Sequence, residues 1–155
     1  MAKARVFLPK NRLKHIIGGP NDMTAEMLIQ GAEARLAELE PALKADVSDW
    51  VAAIERIAAL EEEFLFAQCL SVSRAALSIC EVAGAAGLGP LGDAARGIVS
   101  MVDALISQGV WHTDALQLHI DALSMFAANP SLPSDEVRRV LARLQVLRDE
   151  IGVQE

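Results

Sequence analysis

The stretch from Phe66 to Leu91 constrains the fold most strongly, because small apolar residues at helical spacing lead into a glycine-rich turn. At about 100° per residue, one narrow arc of the predicted helix carries only apolar side chains. We expect this arc to pack into a core. It consists of Leu65, Val72, Ala76, Ile79 and Ala83, with Cys69 and Cys80 beside it.

A second arc of the same predicted helix lies roughly 90° or more from the first. It mixes large apolar, small and charged residues, a combination that suits docking better than plain exposure to solvent. It equally suits contact with another helix of the same chain, and the sequence leaves both interpretations open. The arc contains Phe66, Leu70, Ser73, Arg74, Leu77, Glu81 and Gly84.

The rest of the chain also favours helices. Apolar residues make up 52% of the 155 residues and aromatic residues only 4%, a composition typical of closely packed helices. No long stretch alternates with period two, and no hairpin dipeptide separates strand-like runs. We predict an all-α fold, an antiparallel bundle of five or six helices with a four-helix core and an additional helix. Residues 21–155 form one domain in this prediction, and residues 1–20 form a basic, flexible tail.

Proline, glycine and capping residues predict the helix boundaries. Pro41 interrupts a helical stripe, so we expect a kink or a division of the helix there. Pro90 suits the first turn of a helix, and Gly109 suits the end of one. Thr113 and Ser134 are the predicted N-caps of the last two helices. Gly97 would allow a close helix contact, and the predicted turn residues are Gly84, Gly87, Gly89 and Gly92.

Charge is distributed unevenly along the chain. The net charge is −7, but residues 1–20 carry five basic side chains and no acidic one, so the remaining residues have a net charge of −12. A body this acidic argues against nucleic acid as the main partner. The basic segment suits an acidic partner, a membrane surface or plain solvation. Its basic residues are Lys3, Arg5, Lys10, Arg12 and Lys14.

The sequence predicts a cytoplasmic protein. The N-terminus has no apolar signal region, and no apolar run reaches the length of a membrane span. Cys69 and Cys80 lie 11 residues apart on the same predicted helix. That separation is about 16 Å along the axis, too far for a disulfide, so we expect free thiols in a reducing compartment.

No enzymatic chemistry is evident from the residues. His15, His112 and His119 are the only histidines, and none has a second ligand at i+3 or i+4 that would favour a metal site. No nucleophile motif or phosphate-binding glycine motif is present. We therefore predict no catalytic residue, no metal and no cofactor.

His119 needs separate consideration because it shares one arc of its predicted helix with apolar residues. The favoured interpretation is a buried or flanking histidine that bonds to a neighbour. The alternative is a phosphoacceptor, which requires an imidazole exposed on a helix. The arc contains Ala115, Leu116, His119, Ile120, Ala122, Leu123 and Phe126.

The segment Ala76–Gly89 resembles the signature of histidine phosphotransfer (HPt) domains, A-H-x-L-K-G-x-A-x-x-x-G, and Leu91–Ile98 resembles the helix that follows it. The resemblance implies an HPt-like helical bundle. It departs from the family where the chemistry lies, since Leu77 occupies the position of the phosphorylated histidine, or the neighbouring position. The adjacent Lys and Gly positions are held by Cys80 and Glu81.

The chain also resembles the chemotaxis protein family CheE, on residues 10–14 and 118–123. Together the two resemblances imply a cytoplasmic signalling role in a two-component, chemotaxis or phosphorelay system. The expected partner is a response-regulator receiver domain or a histidine-kinase-associated protein, and a homodimer is compatible with the sequence.

Three functions are therefore considered. The first is a non-catalytic adaptor that docks its partner without accepting phosphate. The second is an active phosphocarrier that uses His119 or His15. The third is a helical dimerisation or scaffold protein unrelated to signalling. The predicted partner-binding residues of the first are Phe66, Leu70, Arg74, Leu77, Glu81 and Gly84.

Overall fold

The computed structural model describes residues 25–153, which contain helices and turns but no strand. The prediction of an all-α helical bundle is confirmed. The chain divides into two units, Met1–Ala37 and Glu38–Glu155. The predicted boundary at residue 20 and the predicted tail lie outside the described residues. The helices are α1 Ala25–Ala58, α2 Glu62–Ala67, α3 Cys69–Val82, α4 Gly89–Gln108, α5 Thr113–Ala128 and α6 Ser134–Glu150.

Helix α1 is not divided at Pro41, contrary to one of the two expectations for that residue. It continues through the proline for 34 residues. Pro41 has no N–H to donate to the carbonyl of Ala37, but both residues are exposed, so water can satisfy that carbonyl. The boundary between the two units directly follows Ala37.

The two parts of α1 differ in burial. Val47, Val51 and Ile54 belong to the hydrophobic core of the second unit. The apolar residues nearer the N-terminus of α1 are exposed instead, although they share helical spacing. These exposed residues are Met27, Leu28, Ile29, Leu36 and Leu39.

The apolar arc predicted around α3 is buried as expected. None of Leu65, Val72, Ala76, Ile79 and Ala83 is more than 1% exposed. Cys69 is buried, Cys80 is half-buried and both are free thiols, as predicted. Helices α3 and α4 pack against each other through this arc.

The turn between α3 and α4 uses fewer glycines than predicted. Gly87 adopts a φ of 71° in this turn, and the N–H of Leu88 donates to the carbonyl of Ala83 at 2.7 Å. Gly89 and Gly92, however, lie inside α4, so their assignment as turn residues is wrong. A Cβ atom on Gly92 would lie 3.0 Å from the Cβ of Ala83, so this glycine allows the two helices to approach closely.

Two other local predictions are also wrong. The helix predicted from Phe66 onward is interrupted at Gln68, which separates α2 from α3 with φ −100° and ψ 5°. Thr113 and Ser134 are the first residues of their helices rather than N-caps. The N-cap positions are held by His112 and Pro133, and neither makes a side-chain capping hydrogen bond.

Helices α4, α5 and α6 complete the bundle. Pro90 lies in the first turn of α4, and Gly109 ends that helix in the left-handed conformation with φ 71°, as predicted. Helix α6 ends at Glu150, Gly152 in the turn that follows has φ 82°, and Val153 is fully buried. On α5 the predicted apolar arc is buried, and its members are Ala115, Leu116, His119, Ile120, Ala122, Leu123 and Phe126.

Alanine substitutions at two nearby residues of α3 are expected to distinguish its core face from its outer face by their effects on the free energy of unfolding. Ile79 is fully buried, and we expect Ile79→Ala to lower the free energy of unfolding by about 2–5 kcal/mol because it leaves a cavity. Leu77 is 49% exposed, and we expect Leu77→Ala to change it by no more than about 0.5 kcal/mol. Urea unfolding followed by circular dichroism measures both, and equal losses would contradict the assigned faces.

Candidate partner-binding face

The six residues predicted to bind a partner lie on the surface of the second unit. We call these residues the docking face, and all six are exposed: Phe66, Leu70, Arg74, Leu77, Glu81 and Gly84. Phe66, Leu70 and Leu77 are 47%, 52% and 49% exposed. The alternative that this arc covers another helix of the same chain is therefore wrong for the described residues.

Three structural elements contribute to the docking face. Phe66 comes from α2, four residues come from α3, and Gly84 lies in the turn after α3. Within the described residues, Arg74 and Glu81 form no ion pair. The face therefore combines apolar side chains with charges that are available to a partner, as rims of protein interfaces do.

The segment Ala76–Gly89 contains no imidazole that could accept a phosphoryl group. Leu77 is an exposed hydrocarbon. Cys80 is half-buried between α3 and α4, and its thiol donates a hydrogen bond to the carbonyl of Gly92 at 3.5 Å. Burial raises the pKa of this thiol, which disfavours the nucleophilic thiolate.

His119 is fully buried, in agreement with the favoured interpretation. Its Nδ1 lies 2.7 Å from the carbonyl oxygen of Ala115, and its Nε2 lies 3.0 Å from Nη1 of Arg148. Arginine and the carbonyl fix the tautomer: Nδ1–H donates to Ala115, and Nε2 accepts from Arg148. Burial lowers the pKa of His119, and the neighbouring arginine cation lowers it further, against the opposing effect of the bond to Ala115.

Arg148 is the buried partner that the sequence analysis did not identify. It is 7% exposed, and its Nη2 also donates to the side chain of Gln145. Its one signal in the sequence was its position, four residues after the buried Leu144 in the apolar stripe of α6.

Gly97 makes room for this pair, as predicted for a close contact. A Cβ atom on Gly97 would lie 2.6 Å from Nη1 of Arg148 and 2.7 Å from Cδ2 of His119. Both distances are shorter than carbon and nitrogen atoms tolerate. Helices α4, α5 and α6 therefore meet at one polar cluster, and a Cβ atom at position 97 would displace the side chains of His119 and Arg148.

A second cluster missed by the sequence analysis adjoins the docking face. The rings of Phe66 and Trp111 are in edge-to-face contact, with centroids 5.1 Å apart and planes at 86°. The indole N–H of Trp111 donates to the hydroxyl of Thr113 at 3.0 Å, and that hydroxyl donates to the carboxylate of Glu62. Helical periodicity does not predict this cluster, because Trp111 lies in the connection between α4 and α5.

The surface groove between α1, the α3–α4 turn and the end of α5 is a separate feature, with a volume of about 430 Å³. Val47, Val51 and Leu91 contribute apolar surface to it. Its one cation, Lys44, is paired with Glu40 at 2.6 Å. No residue of the docking face lines this groove, and it holds no set of convergent polar groups that indicates a reaction.

Other site types find little support in the described residues. No group of three or more His, Cys, Asp or Glu side chains within residues 25–153 is arranged to hold a metal ion. No helix in that part of the chain is both long and apolar enough to cross a membrane. His112 is exposed at the start of α5, and His15 lies outside the described residues.

Comparisons with protein-family models, curated proteins and solved structures find no match to this chain.

The buried histidine predicts a specific pH dependence of stability. The folded state disfavours the protonated form of His119, whereas the unfolded chain binds the proton with an ordinary affinity. The stabilisation is therefore complete above the unfolded pKa of about 6.5 and is lost as the pH falls below it. The slope is at most about 1.4 kcal/mol per pH unit, the limit for one proton.

His119→Gln provides the control, because glutamine also donates and accepts hydrogen bonds but takes up no proton. Urea unfolding of both chains at a series of pH values between neutral and mildly acidic isolates the contribution of His119. We expect the wild-type chain to lose more stability on acidification than the variant. Parallel pH profiles for the two chains would contradict the described environment of His119.

Proposed function

We propose that this chain is a non-catalytic adaptor of a two-component or chemotaxis system. In this proposal it docks a response-regulator receiver domain, or a histidine-kinase-associated protein, through the docking face and accepts no phosphate. The observation that carries the proposal is the exposure of Leu77, at or next to the position where the HPt motif has its histidine. A leucine there keeps an apolar contact and removes the nucleophile.

The exposure of the whole docking face supports the docking half of this proposal. Phe66, Leu70 and Leu77 place three large apolar side chains at the surface, each about half exposed. Arg74 and Glu81 add charges of both signs among them. Exposed apolar side chains together with charged ones are a usual composition of a protein–protein interface.

The environment of His119 supports the non-catalytic half. A phosphoacceptor must present a ring nitrogen in line with the phosphorus of an incoming aspartyl phosphate. Both ring nitrogens of His119 are engaged in hydrogen bonds inside the bundle, and the side chain is 0% exposed. The phosphocarrier function based on His119 is therefore disfavoured by this geometry.

A second candidate is the helical dimerisation or scaffold function. It is favoured by the exposed apolar residues in the first part of α1, of which Leu28, Leu36 and Leu39 are 55%, 46% and 55% exposed. Sedimentation measurements distinguish it from the adaptor, since a chain that self-associates tightly and binds no receiver domain fits the second candidate.

Leu77→Arg tests the adaptor function directly. The substitution places a charge at the centre of the docking face, so we expect binding to a receiver domain to fall by 100-fold or more, about 2.7 kcal/mol. Isothermal titration with purified response-regulator receiver domains measures the change. Circular dichroism is expected to show unchanged helicity, because Leu77 is outside the core.

Val146→Arg is the matched control, because Val146 is an apolar residue of α6 that is 54% exposed and lies outside the docking face. It is expected to leave receiver binding unchanged. Binding that survives Leu77→Arg, or that both substitutions weaken equally, would show that the docking face is wrongly assigned.

Phosphotransfer is tested by incubating the chain with a phosphorylated receiver domain and assaying for acid-labile phosphate on the chain. We expect none, because the imidazole of His119 is enclosed and hydrogen-bonded on both sides. Acid-labile phosphate that disappears in His119→Ala would overturn the non-catalytic assignment and favour the phosphocarrier.

A further inference from the structure

An open depression adjoins the docking face at its α2 end. We call it the acidic–aromatic pocket. It has a volume of about 590 Å³. Phe66 belongs both to this pocket and to the docking face, so the two surfaces are continuous. The pocket is lined by Glu61, Glu62, Glu63, Phe66 and Trp111.

The aromatic wall of the pocket is held in place before any partner arrives. Trp111 contacts Phe66 edge to face, and its N–H is bonded to Thr113, whose hydroxyl donates to Glu62. These contacts tie the connection between α4 and α5 to α2. A side chain that is already ordered loses less conformational entropy on binding, so the pocket is preorganised.

The chemistry of the lining selects for positive charge. Glutamate carboxylates attract a cation, and the faces of tryptophan and phenylalanine rings attract one through their quadrupoles. The lining contains no lysine, arginine or histidine that would neutralise the glutamates. Glu62 accepts a bond from Thr113 and still has acceptor positions for another donor.

The docking face adds the apolar half of the recognition. Leu70 and Leu77 lie two turns apart on α3, a separation of about 10 Å along the axis. Glu81 carries a further negative charge, and Arg74 is the only basic residue among the docking face and the pocket. Glu81 lies beyond Leu77, at the opposite end of α3 from the pocket, and Arg74 lies between Leu70 and Leu77. The combined surface is thus a largely apolar strip with three glutamates at its α2 end and one glutamate at its other end.

We propose that the partner of the docking face presents an apolar helix with lysine or arginine at one end, and that a basic side chain enters the acidic–aromatic pocket. This inference rests on the proposed docking function and names the chemistry of the partner. The apolar side chains of the helix cover Leu70 and Leu77, while its cation lies against Trp111 and the glutamates. Because three glutamates lie at the pocket and only Glu81 at the other end, charge complementarity directs the basic end of the helix to the pocket.

Two synthetic 18-residue peptides test this partner chemistry. Both carry leucines at helical spacing on one face, and they differ in having lysines or glutamates beside that face. Fluorescence anisotropy with the full 155-residue chain at low salt measures their affinities. We expect the lysine peptide to bind about tenfold more tightly or better. Equal binding of the two peptides would overturn the proposal.

Variants with neutral side chains in place of the glutamates test whether the pocket causes the preference for the lysine peptide. The triple variant Glu61→Gln, Glu62→Gln and Glu63→Gln is expected to reduce the preference to less than about threefold. The control triple is Asp135→Asn, Glu136→Gln and Glu150→Gln, which removes the same number of charges from exposed positions of α6. If the control reduces the preference equally, net charge rather than the pocket is responsible and the proposal fails.

Trp111→Leu separates the aromatic contribution from the carboxylates. We expect it to weaken the binding of the lysine peptide more than the binding of the glutamate peptide, because a leucine has no quadrupole to attract a cation. If the affinity for both peptides falls equally, the result would contradict a contact between the peptide cation and Trp111. Unchanged circular dichroism verifies that the variant is folded.

Leu77→Arg distinguishes failure of this inference from failure of the proposed function. If the Leu77→Arg variant binds neither peptide, the result supports one binding surface made of the docking face and the pocket. If both peptides still bind the Leu77→Arg variant, while the glutamine triple variant loses the preference for the lysine peptide, the docking face is wrongly assigned. The pocket would then still select cations. Self-association of the chain that Trp111→Leu abolishes would assign the pocket to a second copy and overturn the proposed partner.

Discussion

The bundle depends on the close approach of α4 to its neighbours, which small residues on α4 permit. At Gly92, α4 lies so close to Ala83 that an added Cβ atom would be 3.0 Å from the Cβ of Ala83. Gly97 leaves space for the side chains of both His119 and Arg148. Between these glycines, Ala94 and Ala95 are buried with at most 1% exposure. A Cβ atom at either glycine would force the neighbouring side chains to shift.

This packing has a direct consequence for the surface. Because α3 presents its apolar arc to α4, its opposite arc turns outward with Leu70 and Leu77 on it. The functional proposal therefore depends on the same contact that stabilises the fold. Leu77, on which the proposed function depends, is a hydrocarbon side chain that is 49% exposed. Such a surface can bind a partner but has no imidazole to take a phosphoryl group.

The buried pair of His119 and Arg148 illustrates a different use of polarity. The pair joins α5 to α6 across Gly97, and its hydrogen bonds are directional where hydrophobic contacts are not. A polar pair inside a bundle can thus define how one helix is rotated relative to another. It also makes that arrangement sensitive to protonation, because a protonated imidazole no longer accepts the hydrogen bond from arginine.

The sequence alone left the exposure of the docking face open, but it determined the all-α class, the buried arcs of α3 and α5, and the helix end at Gly109. Each follows from 3.6-residue periodicity or from a local backbone preference. Tertiary structure decided what periodicity does not encode: the break at Gln68, the partnership of His119 with Arg148, and the contact of Trp111 with Phe66. Those two contacts join residues that are 29 and 45 positions apart, so only the packing of whole helices brings them together.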